Sequence, residues 1–239
     1  MDKILITGSS TGLGALAAKA LLNQHHDVVL HARNQDRAKA AMAQNPTATG
    51  VVIGDLSNLA DIQSIAQQAN QMGPFDAVIH NAGVDSPDSQ LTSAVNIMAP
   101  YMLTALIKRP KRLIYVSSGM HRGAALDIDH LESTVDYSGS KLALLLLMKA
   151  VANKWPDTLV NAVDPGWVPT RMGGSAANDD LEQGYQSQVW LAASNDTQAR
   201  KSGNYYYHGC LSRYDERVDN QLMQQQLMHK LATLATVEL

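Results

Sequence analysis

Lys3-Ile4-Leu5-Ile6-Thr7-Gly8-Ser9-Ser10-Thr11-Gly12-Leu13-Gly14 is the stretch from which the rest of the chain is read. A short apolar run stops at Thr7, three glycines follow at the spacing Gly-x-x-x-Gly-x-Gly, and an Ala- and Leu-rich helical pattern starts at Leu13. A run of that length reads as a buried strand, and what comes after it as a tight turn feeding a helix. Glycines at such a turn let the backbone come close to a pyrophosphate, and the free amides at the helix start attract its negative charge. Gly8, Ser10, Thr11, Gly12, Leu13 and Gly14 are therefore expected to cradle a dinucleotide. The spacing departs from Gly-x-Gly-x-x-Gly, so the motif alone also fits a plain strand-to-helix turn.

Working outward, the same alternation recurs. Strand-like runs occupy Lys3 to Thr7, Asp27 to Arg33, Gly50 to Gly54, Phe75 to Asn81, Arg112 to Ser117, Leu159 to Val163 and Asn204 to Tyr207, with helical patterns such as Leu13 to Leu22, Asp36 to Met42, Leu59 to Met72 and Ser140 to Lys154 between them. Continuous apolar strands such as Val28-Val29-Leu30 need cover on both faces, which parallel sheets obtain from crossover helices. The expectation is an α/β, Rossmann-type doubly wound sheet of seven mostly parallel strands. No linker or repeat divides residues 1–239, so one domain is expected to carry both cofactor and substrate sites. The tail from Asp219 to Val237 reads as an amphipathic helix that packs on the domain or on another subunit.

Composition narrows the function. The chain has 239 residues, 45% hydrophobic and 17% charged, with a net charge of −3. That balance suits a folded core and offers no basic face for nucleic acid. The single cysteine, Cys210, rules out an internal disulfide, and no cysteine spacing suggests a metal site. No apolar run approaches the length of a membrane span, and no signal-type stretch opens the chain, so a cytoplasmic location is expected.

After the second strand stands Ala32-Arg33-Asn34, where an acid would ordinarily hold the ribose hydroxyls of NAD. An arginine there pairs with the additional phosphate of NADP, so NADP(H) is preferred, with NAD(H) also admitted. Asp55, followed by Leu56, reads equally as an acceptor for the adenine amino group and as a turn residue. Asn81-Ala82-Gly83, ending the fourth run, leaves room for the cofactor at the point where strand order reverses.

Beyond Ser117-Ser118, and 19 positions after Ser118, comes Tyr137-Ser138-Gly139-Ser140-Lys141 at the start of a strong helix. Tyrosine and lysine four apart share a helix face. The ammonium is expected to stabilise the phenolate and draw the phenol's pKa down, while a serine hydroxyl steadies the substrate oxygen. One Tyr-x-x-x-Lys is weak evidence; the ordered set is not. Thr7 to Gly14, Asn81-Ala82-Gly83, Asn96, Ser117-Ser118, Tyr137 to Lys141 and Asp164-Pro165-Gly166 together resemble the short-chain dehydrogenase/reductase family along essentially the whole chain.

That resemblance implies a catalytic tetrad of Asn96, Ser118, Tyr137 and Lys141, with Asn96 supporting a proton-relay water that leads to Lys141. It also implies cofactor contacts from Tyr137 and Lys141 and from the loop carrying Pro165, Gly166, Val168 and Thr170. Gly166-Trp167-Val168, Met172-Gly173-Gly174 and Ser202 to Tyr207 look nearest to the retinol dehydrogenase-like and anthracycline ketoreductase-like branch. The activity implied is hydride transfer between nicotinamide and a small-molecule carbonyl or alcohol. Only 12 residues separate Gly83 from Asn96 and 21 separate Asn96 from Ser118. Both look short for the family, which points to a trimmed fourth helix and to a monomer or homodimer in place of the family's tetramer. His121 and His130 read as surface or packing residues. Two other functions stay open: an NADP-binding sensor without turnover, and a nucleotide-sugar epimerase or dehydratase, which the short chain disfavours.

Overall fold

Each of the seven apolar runs forms a strand: β1 Lys3–Ile6, β2 Asp27–Ala32, β3 Gly50–Ile53, β4 Ala77–His80, β5 Arg112–Val116, β6 Leu159–Asp164 and β7 Asn204–Tyr207. An eighth, β8 Cys210–Leu211, is added at the edge. The computed structural model describes residues 1–239 and joins these strands in the order β3-β2-β1-β4-β5-β6-β7-β8. The first seven are parallel and β8 runs antiparallel to β7. The expected seven-stranded sheet is thus corrected to eight. The extra strand exists because His208 and Gly209 both take positive φ, 46° and 75°. Two such residues make the mirror-image hairpin turn that folds the chain straight back.

Helices connect the parallel strands: α1 Gly12–Asn23, α2 Gln35–Gln44, α3 Leu59–Met72, then α4 Ser89–Ser93 continuing through a π-helical turn, Ala94–Met98, into α5 Ala99–Leu106. There follow α6 Leu131–Thr134, α7 Tyr137–Lys154, α8 Leu181–Ala193 and α9 Gln221–Ala235. None of them is long and apolar enough to cross a membrane.

Neighbouring strand residues point to opposite faces, and the two faces build two cores. Leu5, Val29, Val78, Leu113 and Val160 join the side that carries α3, α5, α7 and α9. Ile4, Ile6, Val28, Leu30, Ile114 and Val163 join the side that carries α1 and α8. In α7 the run Leu142 to Met148 is wholly buried, since this helix is covered by the sheet below and by α9 beside it. A buried, well-packed α7 fixes its first turn firmly, and that turn carries Tyr137 and Lys141.

β1 and β4 are neighbours at the centre, while β2 and β3 lie on one side and β5 to β8 on the other. Strand order therefore reverses between β1 and β4, and a crevice opens there at the carboxyl ends of the strands. Thr7, Arg33, Gly54, Asn81 and Ser117, expected as last strand residues, each sit one residue past a ladder's end. They form the crevice rim.

Candidate active site

Thr7 ties the reversal point together. Its hydroxyl accepts from the Asn81 and Ala82 amides at 3.0 and 3.1 Å, and the Asn81 side chain donates back to the Thr7 carbonyl at 2.9 Å. Gly14 packs so closely on this knot that a Cβ there would stand 2.4 Å from the Asn81 amide nitrogen. Gly12 has φ of +62° and faces open space.

His31, which the sequence reading did not single out, completes the loop from below. Its Nδ1 accepts from the Gly8 amide at 2.9 Å, its Nε2 meets the Gly54 carbonyl at 3.1 Å, and its own amide donates to the Ser9 hydroxyl at 2.8 Å. The Gly8 and Gly54 contacts require the neutral ring with its proton on Nε2. Burial holds its pKa down at about 4, which agrees with that form. No signal in one sequence could show this, because the contact joins the ends of three separate strands.

A cleft of about 670 Å³ runs across the rim. One end is lined by Arg33, Arg37, Asp55 and Ser57, the middle by Gly8 and Ser10 to Leu13, and the far end by Asn81 to Gly83, Tyr137, Lys141, Pro165 and Thr170. Leu56 lies in the same wall. The shape and chemistry fit a dinucleotide. The first turn of α1 has no side-chain cap at Thr11, in contrast with α2, α3, α7, α8 and α9, which are capped by Asn34, Asn58, Asp136, Asp180 and Asn220. Its amides are left for an anion, beside glycines that keep the approach clear. Arg33 lies 4.0 Å from Asp55 and is largely exposed, and Arg37 adds a second cation that the sequence reading passed over. Asp55 also accepts from the Ser57 amide and hydroxyl, so its turn role is realised.

At the other end, Asp136 caps α7 by accepting from the Gly139 amide at 2.7 Å, which sets the helix start at Tyr137. Lys141 is buried and donates to the Val116 carbonyl at 2.9 Å, with its ammonium 5.4 Å from the centre of the Tyr137 ring. Burial lowers the Lys141 pKa to about 8, against the opposing pull of Asp164. Burial also pushes the Tyr137 phenol up to about 12; hydrogen bonding with Ser118 works against this, and the charges of Asp85 and Asp164 add to it. The expected depression of the phenol by Lys141 is not found. Desolvation dominates instead, and Tyr137 is a protonated acid.

Asn96, in the π turn, is buried. Its side chain grips Val84 from both sides, accepting from the Val84 amide at 2.8 Å and donating to the Val84 carbonyl at 2.9 Å, and it also donates to the Ser140 hydroxyl. Gly83 lies between it and Lys141: a Cβ there would be 3.3 Å from the ammonium and 3.4 Å from the Asn96 side-chain oxygen. Ser117 is buried and bonds the Lys141 carbonyl, which leaves the partly exposed Ser118 as the hydroxyl beside Tyr137. Asn96, Ser118, Gly14, Gly166 and Val168 are not among the residues that line the cleft. His121 is buried, with Nδ1 2.6 Å from the Ser118 carbonyl and Nε2 accepting from the Asp215 amide, whereas His130 sits exposed on Asp127.

Sheet order, glycine-lined cleft and Tyr-Lys helix turn define a doubly wound α/β protein with a built site at its switch point. The family model of the short chain dehydrogenases matches residues 2–181, and the chain belongs to that family and is an oxidoreductase of it. It is 38% identical over 241 residues to an uncharacterized oxidoreductase of Emericella nidulans, covering 95% of this chain and 94% of that one. Among solved structures, an uncharacterized protein of Mycobacterium paratuberculosis superposes with a TM-score of 0.82 at 20% identity, covering 100% of this chain and 94% of the other. A short chain dehydrogenase from Escherichia coli CFT073 in complex with NADPH gives 0.69 at 26% identity, covering 87% and 97%.

Proposed function

We propose that this chain is an NADP(H)-dependent reductase of a small-molecule carbonyl, able to run in reverse on the alcohol, with cofactor and substrate bound within one domain. The observation that carries the reading is the placement of Tyr137 and Lys141 at one end of a cleft whose other end holds Arg33 and Arg37. The solved relative that holds NADPH supports the cofactor choice. The bound dinucleotide supplies hydride to the carbonyl carbon.

Within that reading each residue has a definite task. Arg33 and Arg37 pair with the phosphate that distinguishes NADP from NAD. The free amides of α1 and the glycine turn hold the pyrophosphate, with His31 fixing the turn. Asp55 and Leu56 flank the adenine, and Asn81 to Gly83 back the ribose. Pro165 and Thr170 form the wall beside the nicotinamide, with Gly166 and Val168 backing it. Ser118 donates to the substrate oxygen as negative charge develops on it. Tyr137 gives its proton to that oxygen, and a protonated phenol is the form this step needs. Lys141 then stabilises the phenolate left behind. Asn96 holds the Val84 segment and supports a relay water toward Lys141.

Tyr137→Phe tests this. It removes one oxygen from a partly buried ring, so NADPH affinity is expected to stay within about threefold while turnover falls on the order of 10²–10⁴-fold, the usual contribution of a general acid. A variant that binds NADPH and keeps full turnover would refute the assignment.

A further inference from the structure

Asp164, the last residue of β6, is an acid for which the proposed reaction has no use. Asp164 is 6% exposed, and its carboxylate takes part in none of the chain's ion pairs. Its hydrogen-bond partners are neutral: the Tyr205 hydroxyl and the Gly166 amide, each at 2.9 Å. A buried carboxylate without a cation is costly, and one at a reactive centre acts on every titration nearby.

Its position is at that centre. Val163 pairs with Val116, and the Ser117 amide bonds the Val163 carbonyl, so Asp164 stands next to the Ser117-Ser118-Gly119 turn. A Cβ on Gly119 would come within 2.9 Å of the carboxylate, so only glycine lets the turn and the acid approach this closely. The titratable and charged groups around it come from four sides. They are Tyr137 and Lys141 on α7, Tyr205 and Tyr207 on β7, and His121 and Arg122 after β5, with Asp85 facing Tyr137 from the β4 loop. Arg122 is the one permanent cation among them. Its guanidinium is turned to the Arg213 carbonyl at 2.8 Å and to the Tyr205 ring at 5.8 Å, so it softens the charge of Asp164 without pairing with it.

We propose that Asp164 is a positioning residue that acts by charge, holding the Tyr137–Lys141 pair doubly protonated and so favouring carbonyl reduction over alcohol oxidation. The inference rests on the function proposed above for that pair. A negative charge in a poorly solvated site opposes loss of a proton from either member, whichever one gives it up first. Reduction needs the phenol and the ammonium together. Oxidation needs the pair one proton short. Removing the charge must therefore shift both pH profiles the same way, downward. Loss of shape alone would lower the rates without moving the limbs.

The test uses Asp164→Asn, which keeps the shape, and Asp164→Ser, which keeps neither shape nor charge and serves if the first does not fold. Three readouts apply: the alkaline limb of kcat/KM for reduction, the acid limb for oxidation, and tyrosinate absorbance corrected by the same variant carrying Tyr137→Phe. All three are expected to move to lower pH by about one unit. A folded variant in which all three stay within about 0.3 unit overturns the inference. The absorbance titration needs no turnover, so it reports on Asp164 even if Tyr137→Phe alone has already refuted the proposed reaction.

Discussion

Arg33 leaves β2 with its side chain 60% exposed at the mouth of the cleft, 4.0 Å from Asp55. A cation so placed gains little from the nearby acid, because exposed pairs in water are weak. Its use is for a phosphate, where charge-assisted hydrogen bonds contribute about 1.5–3 kcal/mol. Arg33→Ala is accordingly expected to weaken NADPH binding by roughly 10- to 100-fold and to leave NADH binding nearly unchanged, measured by titrating both cofactors. Equal losses for the two would show that Arg33 does not read the extra phosphate. Residues of this kind were legible because their meaning lies in local order. Tyr137 and Lys141 sit one helical turn apart, and Arg33 directly follows a strand. His31 and Asp164 were not, because each acquires its role from partners on other strands, Gly8 and Gly54 for the one, Tyr205 and the Gly119 turn for the other. The acidity of Tyr137 was misjudged for a related reason. A lysine four residues away is visible in sequence, whereas the depth of burial that raises the phenol is not.

Elements were read best where hydrophobic period and burial coincide. β1, β2, β4 and β5 are apolar on both faces and were placed to within one or two residues at each end, the carboxyl-end overrun falling on the rim residues Thr7, Arg33, Asn81 and Ser117. α8 stands out less in sequence because its inner face is mixed, with Val189, Leu191 and Ala192 in the core and its first half small or polar. Gly184, Ser187 and Gln188 are all buried there, and a Cβ on Gly184 would stand 2.9 Å from the Pro165 carbonyl. Close packing against the β6 loop selects small and polar residues over the leucines that mark a helix in sequence. β8 escaped notice since two residues carry no period at all, and the π turn at Ala94–Met98 looks like ordinary helix in sequence. The π turn lies beside the proposed site, with Val95 in the cleft lining and Asn96 bonded to Val84, consistent with irregular elements being concentrated where backbone groups are put to use.

For the whole molecule, two histidines buried in the sheet tie stability to pH. Burial lowers the pKa of His31 to about 4 and that of His80 to about 3. His80 stacks on Tyr115 and meets the Thr104 hydroxyl, while its Nδ1 has no partner. Both rings are neutral in the folded chain, and an unfolded histidine takes up its proton near pH 6.5. The sign follows: the stability due to the neutral rings is fully present above about pH 6.5 and is lost as the pH falls toward 4 and then 3. The rings account for on the order of 3 kcal/mol for His31 and on the order of 5 kcal/mol for His80 over that range. Urea unfolding followed from pH 7 to 4.5 is expected to show a steady loss of stability that is shallower in His80→Leu. A flat profile would mean that neither ring is buried in its neutral form.

Transfer of hydride from a nicotinamide held along the cleft to a carbonyl beside Tyr137 is the claim on which the chemical assignments depend. The direct measurement is turnover of a panel of aldehydes and ketones with NADPH carrying deuterium at the transferring C4 position, with the label located in the product. Deuterium on the new carbinol carbon, in one-to-one ratio with NADP formed, is the expected result. Binding of NADPH with no reduced product across the panel, or carbinol carbon labelled only from solvent, would contradict it.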